Sequence, residues 1–431
     1  MFDKIFQLKK NNTNASREII AGITTFMTMA YILAVNPDIL SATGMDREAL
    51  FTATALASII ATLVMAFVAN LPFALAPGMG LNAFFAFTVV LSMGYSWQTA
   101  LTAVFIEGVI FIILTLLNIR ELIVNSIPLP LKHAISVGIG LFIALIGFKN
   151  AGMIVYNEAT LLGFGDFSEH TVWVALSGLF IISILLVFRV QGAVLIGILA
   201  AAIMGIPLKI TNLPQEGLFS LPPSLSPIFF KLNFKEIFKP DVFMVLFTFL
   251  FVDMFDTVGT LVGVSSKADM LDKEGKVPKA KQALFADAIG TTIGSLIGTS
   301  TVTTYVESAA GVTLGGRTGM TAFVVAVCFA VVLFFSPLFL AIPGSATAPA
   351  LIIIGLFMIS PISKVQLENY IDAIPVFLTI IIMPLAFSIS EGISFGIISY
   401  VLVRLFSGKW REIPIVLYIL AALFIARYFF N

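Results

Sequence analysis

Two aspartates stand three residues apart in an otherwise apolar run, LFTFLFVDMFDTVGTLVGV, and a third carboxylate, Glu307, follows in TSTVTTYVESAAGV. The spacing puts Asp253 and Asp256 on one face of a helix, beside Thr257, Thr260 and the Gly259 and Gly263 pair. Glycines at that spacing let another backbone approach closely. An ionised Asp at the centre of a membrane helix costs about 2.5–3.5 kcal/mol on insertion scales, so acids kept in such runs are expected to hold a ligand or a proton. Carboxylates accept hydrogen bonds from N–H donors, and burial favours their protonated form, which lets such a group take up and release a proton. For Asp253, a turn further from the glycine pair, a bond to a neighbouring helix is the competing reading. Asn82, in GMGLNAFF, can donate to a ligand or cap a half-helix. Asn36, in NPD, reads as a turn before Pro37. Glu107, in AVFIEGVIF, has no partner visible in the sequence, so interhelical bonding and function are equally good readings. His133 and His170 fall at a span edge and in a loop, and Cys328 sits alone in an apolar run; together they supply no metal site and no nucleophile constellation.

The elements that must position these groups are unusual. TSTVTTYVESAAGV is rich in β-branched residues, and LPFALAPGMGLNAFFAFTV contains Pro72, Pro77, Gly78 and Gly80, so neither favours a continuous helix. Each is predicted to be a short extended stretch followed by a half-helix. Extended backbone inside a bilayer leaves N–H and C=O groups unpaired at several kcal/mol each unless protein encloses it or it lines a wet cavity. Two such stretches crossing antiparallel would satisfy part of each other's need, and the remaining groups, with the positive ends of the half-helices, would face a ligand.

Composition sets the surroundings. Apolar residues make up 59% of the 431 and charged residues 11%, a balance expected of a polytopic membrane protein. Net charge is zero and no basic stripe suggests a nucleic-acid partner. With roughly 20 apolar residues needed per spanning helix, the chain reads as fourteen spans in two sets of seven, divided by a segment carrying Pro214, Pro222, Pro223, Pro227 and Pro240. Residues 19–148 hold spans 1–5, 172–206 spans 6–7, 207–241 an extracellular linker, 242–341 spans 8–11 and 346–406 spans 12–14. The apolar tail within 407–431 either spans or lies against the bundle, with the second reading favoured. Placing the N-terminus in the cytoplasm gathers Lys9, Lys10 and Arg17, the cluster Lys267, Lys273, Lys276, Lys279 and Lys281, and Arg404, Lys409 and Arg411 on the inner side. An odd number of spans per half makes the second half inverted relative to the first, and spans interrupted at matching positions, here the third and the tenth, then point to a midplane site.

FTFLFVDMFDTVGTLVGV, TTYVESAAG, APGMGLNAFF and the early FMTMAYILAVNP together resemble the nucleobase:cation symporter-2 superfamily, in its azaguanine-resistance branch of purine permeases, from about Ile19 to Phe406. The resemblance implies seven-plus-seven inverted repeats, a core of spans 1–4 and 8–11, a gate of spans 5–7 and 12–14, and proton-coupled uptake of hypoxanthine, guanine or adenine. The divergent nucleobase-ascorbate branch carries, in its eighth span, a Glu followed three residues later by Gly and then His, and a Glu-Asn after its tenth-span strand. Asp256 and Gly259 match the first motif with Thr260 in place of the His, and Glu307 and Ser308 match the second. By that correspondence Asp256 and Glu307 contact the substrate, Asn82 is a third contact and Asp253 serves proton coupling. Thr303 and Tyr305 on the strand complete the expected substrate-binding set, with Tyr305, Phe84 or Phe251 available to stack on a purine face. The expected protein is a multi-pass transporter of the inner (plasma) membrane with elevator-like motion, needing no cofactor; its partners are a purine, a proton and the lipid bilayer, and a homodimer is compatible with it. A carrier of anions, or of uracil or xanthine, on the same fold is the alternative.

Overall fold

The computed structural model describes residues 2–117, 128–214, 217–237, 239–267, 270–271 and 277–430. Of the positions used above, Lys273 and Lys276 lie outside the described residues. The chain is mostly helical. Among the described residues, nine helices are long and apolar enough to cross a membrane, and four shorter apolar helices accompany them at Met79–Ser92, Ala193–Gly205, Tyr370–Leu385 and Ile415–Ala426.

In chain order the elements are α1 (Ala15–Met29), α2 (Ile32–Ser41), α3 (Arg47–Val64), β1 (Leu75–Pro77), α4 (Met79–Ala83, continued as π-helical turns over Phe84–Ser92), α5 (Trp97–Leu116) and α6 (Leu129–Asn150). Then come β2 (Ile154–Asn157), β3 (Leu161–Phe164), α7 (His170–Val187), α8 (Ala193–Gly205), α9 (Pro240–Lys267) and α10 (Ala280–Ile297). The last are β4 (Val302–Thr304), α11 (Ser308–Thr313), α12 (Gly319–Val332), α13 (Gly344–Ile359), α14 (Tyr370–Leu385), α15 (Ile389–Phe406) and α16 (Ile415–Phe430). Polar side chains start many of the helices: Asn14 accepts Arg17 N–H, Asp46 accepts Ala49 N–H and Ser96 accepts Thr99 N–H, each satisfying one of the amides a helix start leaves unpaired.

The described residues form two compact units. One holds those up to Leu117 and from Phe148 to Ala350; the other holds residues 128–147 and those from Leu351 onward. In the first unit α10 lies against α5 and α3, and α12 against α1 and α3. Glu18 on α1 is fully buried because it caps α12, accepting the N–H groups of Arg317 at 2.9 Å and Thr321 at 3.2 Å and the Thr321 hydroxyl at 2.6 Å. The helices α7 and α8 pack on each other and belong to this unit. In the second unit α14 pairs with α15, and α16 lies along α15. Arg404 of α15 joins Asp372 of α14 at 2.6 Å.

The proline-rich divider is a strap rather than a loose tether. Thr52 of α3 donates to the Pro223 carbonyl at 2.9 Å, Phe230 N–H to the Leu296 carbonyl of α10 at 2.8 Å, and Asn233 N–H to Thr102 of α5 at 2.7 Å. Gly298 ends α10 at φ +102°, and a side chain there would run into Ile228 of the strap.

Asn36 departs from the expectation. Instead of a turn, it lies inside α2, which runs through Pro37, because the first span breaks earlier, at Ala30 and Tyr31. Pro37, the sixth residue of α2, forgoes the bond that an N–H there would make to the Leu33 carbonyl. The Gly259 and Gly263 pair also departs: among the described residues of the first unit, no neighbour packs closely on either. Cys328, on α12, is half-buried.

Candidate functional site

The extended stretches expected in the third and tenth spans meet as β1 and β4, paired antiparallel with Leu75 opposite Thr304, Ala76 opposite Thr303 and Pro77 opposite Val302. Gly78 N–H to Thr301 O and Tyr305 N–H to Ala74 O, both 2.9 Å, lengthen the ladder at each end. Two strands alone would leave their outer edges unpaired. Thr62 of α3 covers one edge, its hydroxyl bonding both Leu75 N–H at 3.0 Å and Leu75 O at 3.1 Å. Thr291 of α10 covers the other in the same way, at 3.2 Å to Val302 N–H and 3.0 Å to Val302 O. A half-helix follows each strand, α4 after Gly78 and α11 after Glu307.

Gly78 is required by contact rather than by backbone angle, since a side-chain carbon there would collide with the Thr303 methyl. Thr303 is thereby pressed against α9. Its hydroxyl lies 3.1 Å from Thr257 Oγ1 and 3.5 Å from Asp256 Oδ2. Thr257 in turn lies 2.7 Å from Asp287 Oδ1 and 3.2 Å from Asp253 Oδ1. A threonine hydroxyl has one hydrogen, and the shortest contact assigns it to Asp287. Asp253 and Asp287 are fully buried, whereas Asp256 and Glu307 are half-buried and present carboxylate oxygen at the strand crossing. Asp287 and Glu307 both lie close to Asp256.

The expected residues therefore divide. Asp256, Thr303 and Glu307 come together at the crossing. Asp253 stands one turn along α9, behind Thr257. Asn82 is buried on α4, where its Oδ1 accepts the Ser300 hydroxyl; its Nδ2 has no hydrogen-bond partner among the described residues. Tyr305 is built into the crossing, its hydroxyl donating to Pro77 O at 2.5 Å and its ring 5% exposed. Phe84 packs edge-on against Phe249 at 4.9 Å, and Phe251 lies 5.3 Å from Phe247. Glu107, partnerless in sequence, accepts the Thr301 hydroxyl at 2.7 Å. Asn36 donates to Thr54 at 2.7 Å and to Thr299 at 3.1 Å, tying α2 to the approach of β4.

Two members were missed by sequence reasoning. Asp287 lies within ALFADAIGTTIGSLIG, and the rule that flagged Asp253 and Asp256 applies equally to an acid in that span. Tyr31, whose hydroxyl donates to Glu307 Oε1 at 2.5 Å, gives no comparable signal, because an apolar span accepts tyrosine without penalty.

Helices crossed by two short antiparallel strands, with acids at the crossing, define a membrane-carrier architecture. The same fold occurs in the transmembrane domain of a cyanobacterium bicarbonate transporter, BicA, at a TM-score of 0.66 and 17% identity, covering 88% of this chain and 97% of that one. The chain is 43% identical over 421 residues to the adenine permease AdeQ of Escherichia coli, covering 98% of this chain and 94% of that protein. It is 44% identical over 432 residues to the guanine/hypoxanthine permease PbuO of Bacillus subtilis, covering 99% and 100%. Residues 16–395 match the Permease family, and the chain belongs to it, within the nucleobase:cation symporter-2 superfamily that its motifs resemble. It is an integral membrane protein of a transporter family, not an enzyme.

Proposed function

We propose that the chain is a secondary active transporter that carries purine nucleobases, hypoxanthine, guanine or adenine, across the plasma membrane together with a proton. The observation that carries this reading is the pair of half-buried carboxylates, Asp256 and Glu307, at the strand crossing of a chain this similar to adenine and guanine/hypoxanthine permeases. A purine presents ring N–H and amino donors along its edges, and carboxylate oxygens are the acceptors that read them. In this reading Asp256 and Glu307 hold the base, Thr303 and Tyr305 shape the strand beneath it, and Asn82 contributes through its unused Nδ2. Asp253, set back behind Thr257, carries the proton.

The fourteen-span, seven-plus-seven arrangement with a cytoplasmic N-terminus belongs to the same proposal. The matched devices on the two strands support it: a threonine from the preceding helix on each outer edge and a half-helix after each strand. Movement of a core of spans 1–4 and 8–11 against a gate of spans 5–7 and 12–14 is the accompanying mechanism, in which one site faces each side of the membrane in turn.

The test is uptake in a host lacking its own carriers, with radiolabelled hypoxanthine, guanine, adenine, uracil and sulfate offered separately. Saturable purine uptake that collapses with the proton gradient is expected. Uptake of uracil or sulfate in preference to every purine would overturn the assignment.

A further inference from the structure

Glu307 shares one of its oxygens with the protein. Tyr31 occupies the break between α1 and α2, is 2% exposed, and donates its hydroxyl to Glu307 Oε1 at 2.5 Å, the short end of the range for a hydroxyl on a carboxylate. The distance is fixed by packing. The short helix α11, which begins one residue after Glu307, lies flush on α1, where a side chain at Gly311 would strike Thr25 and the Ala21 carbonyl. Thr28, from the last turn of α1, adds a contact of 3.4 Å to the Glu307 main-chain oxygen.

We infer that Tyr31 is a positioning residue that sets the specificity of this site by engaging Oε1 and leaving Oε2 to read the base. The inference rests on the purine-transport reading above. Hypoxanthine offers a single N1–H beside its carbonyl, and one carboxylate oxygen held in place suffices for it. Guanine offers N1–H and the 2-amino N–H side by side, a pair that fits both oxygens of a carboxylate in parallel. With one of the two acceptor sites of Oε1 filled by Tyr31, that second bond is weakened, and the site gains less from the amino group of guanine. Removal of the phenol oxygen loosens Glu307 for hypoxanthine, whereas for guanine that loss is offset by a stronger second bond to Oε1.

The experiment measures equilibrium binding of radiolabelled hypoxanthine, and its competition by guanine, on the full-length protein purified in detergent. In Tyr31→Phe the hypoxanthine Kd is expected to rise about tenfold, the scale of one hydrogen bond to a charged group, while the guanine Kd stays within about threefold. The shift in ratio is what a purely structural role would not produce. Equal weakening of both bases, or no change in either, overturns the role of Tyr31 and leaves the purine reading intact. Wild-type protein that binds neither base overturns both. If Tyr31→Phe elutes as aggregate, 3-fluorotyrosine placed at position 31 preserves the ring and its hydroxyl. The purine-induced infrared carboxylate band, assigned by its loss in Glu307→Gln, must then move, and an unmoved band overturns the inference.

Discussion

Besides Glu107, which is bonded to Thr301, four carboxylates gather near the strand crossing, and their surroundings separate them. Asp256 and Glu307 are half-buried, whereas Asp253 and Asp287 are enclosed on either side of the Thr257 hydroxyl. An acid exposed to the crossing can lose a bond to substrate when neutralised, and an enclosed one cannot. Asp256→Asn and Glu307→Gln are therefore expected to weaken purine binding about 10- to 100-fold, the loss of one charge-assisted hydrogen bond, with normal amounts of protein in the membrane. Asp253→Asn is expected to bind purine as wild type does and to accumulate less of it against a gradient. Binding isotherms alongside uptake at several external pH values check this, and a normal pH dependence in Asp253→Asn would transfer the proton to another acid of the group.

At the scale of elements, the two strands depend on single small side chains. Gly78 passes so close to Thr303 that Gly78→Ala is expected to abolish uptake, while the double variant Gly78→Ala, Thr303→Ser, which removes the obstructing methyl and keeps the hydroxyl, recovers most of it. Recovery failing in the double variant would show that the glycine serves something other than this contact. The edge threonines make a second point. Thr291→Val keeps the shape but leaves Val302 N–H and C=O without their partner, which should destabilise the fold by about 1–3 kcal/mol. Thermal unfolding of the purified protein reads this as a lowered midpoint, and an unchanged midpoint would mean that water replaces the hydroxyl.

For the whole molecule, the cation distribution predicts an orientation, because positively charged loops tend to stay on the cytoplasmic side. Ser168, beside the exposed hairpin of β2 and β3, and Ser224, in the strap, are exposed and predicted to be outside; Ser407, after α15, is exposed and predicted to be inside. In a Cys328→Ser background, an impermeant maleimide added to intact cells should label Ser168→Cys and Ser224→Cys and spare Ser407→Cys until the cells are opened. Labelling of Ser407→Cys in intact cells, with the other two protected, would invert the topology. The half-buried Glu236, whose carboxyl is held below the usual range by the Lys239 ammonium 2.7 Å away, pairs with it on the strap and also accepts the Thr99 hydroxyl at 3.2 Å, away from the strand crossing.

Amino-acid order alone determined that this chain lives in a bilayer, that the apolar segments around Leu75–Pro77 and Val302–Thr304 are interrupted by extended backbone, and that Asp253, Asp256 and Glu307 are functional candidates. Each follows from a local cost: apolar length, proline and β-branching within a helix, or charge in hydrocarbon. Only the tertiary structure decided which groups meet. Asn36 looked like a turn because the break at Ala30 and Tyr31 carries no proline or glycine to announce it, and Glu107 looked solitary because its partner Thr301 is 194 residues away. Tyr31 and Glu307 are separated by 276 residues, and Thr291 reaches a strand edge that exists only once β1 and β4 have paired. Hydrogen bonds between distant hydroxyls and acids leave no periodicity in the sequence, since either partner alone is an unremarked polar residue, and the pair is created by the packing that brings α1, α10 and the two strands together.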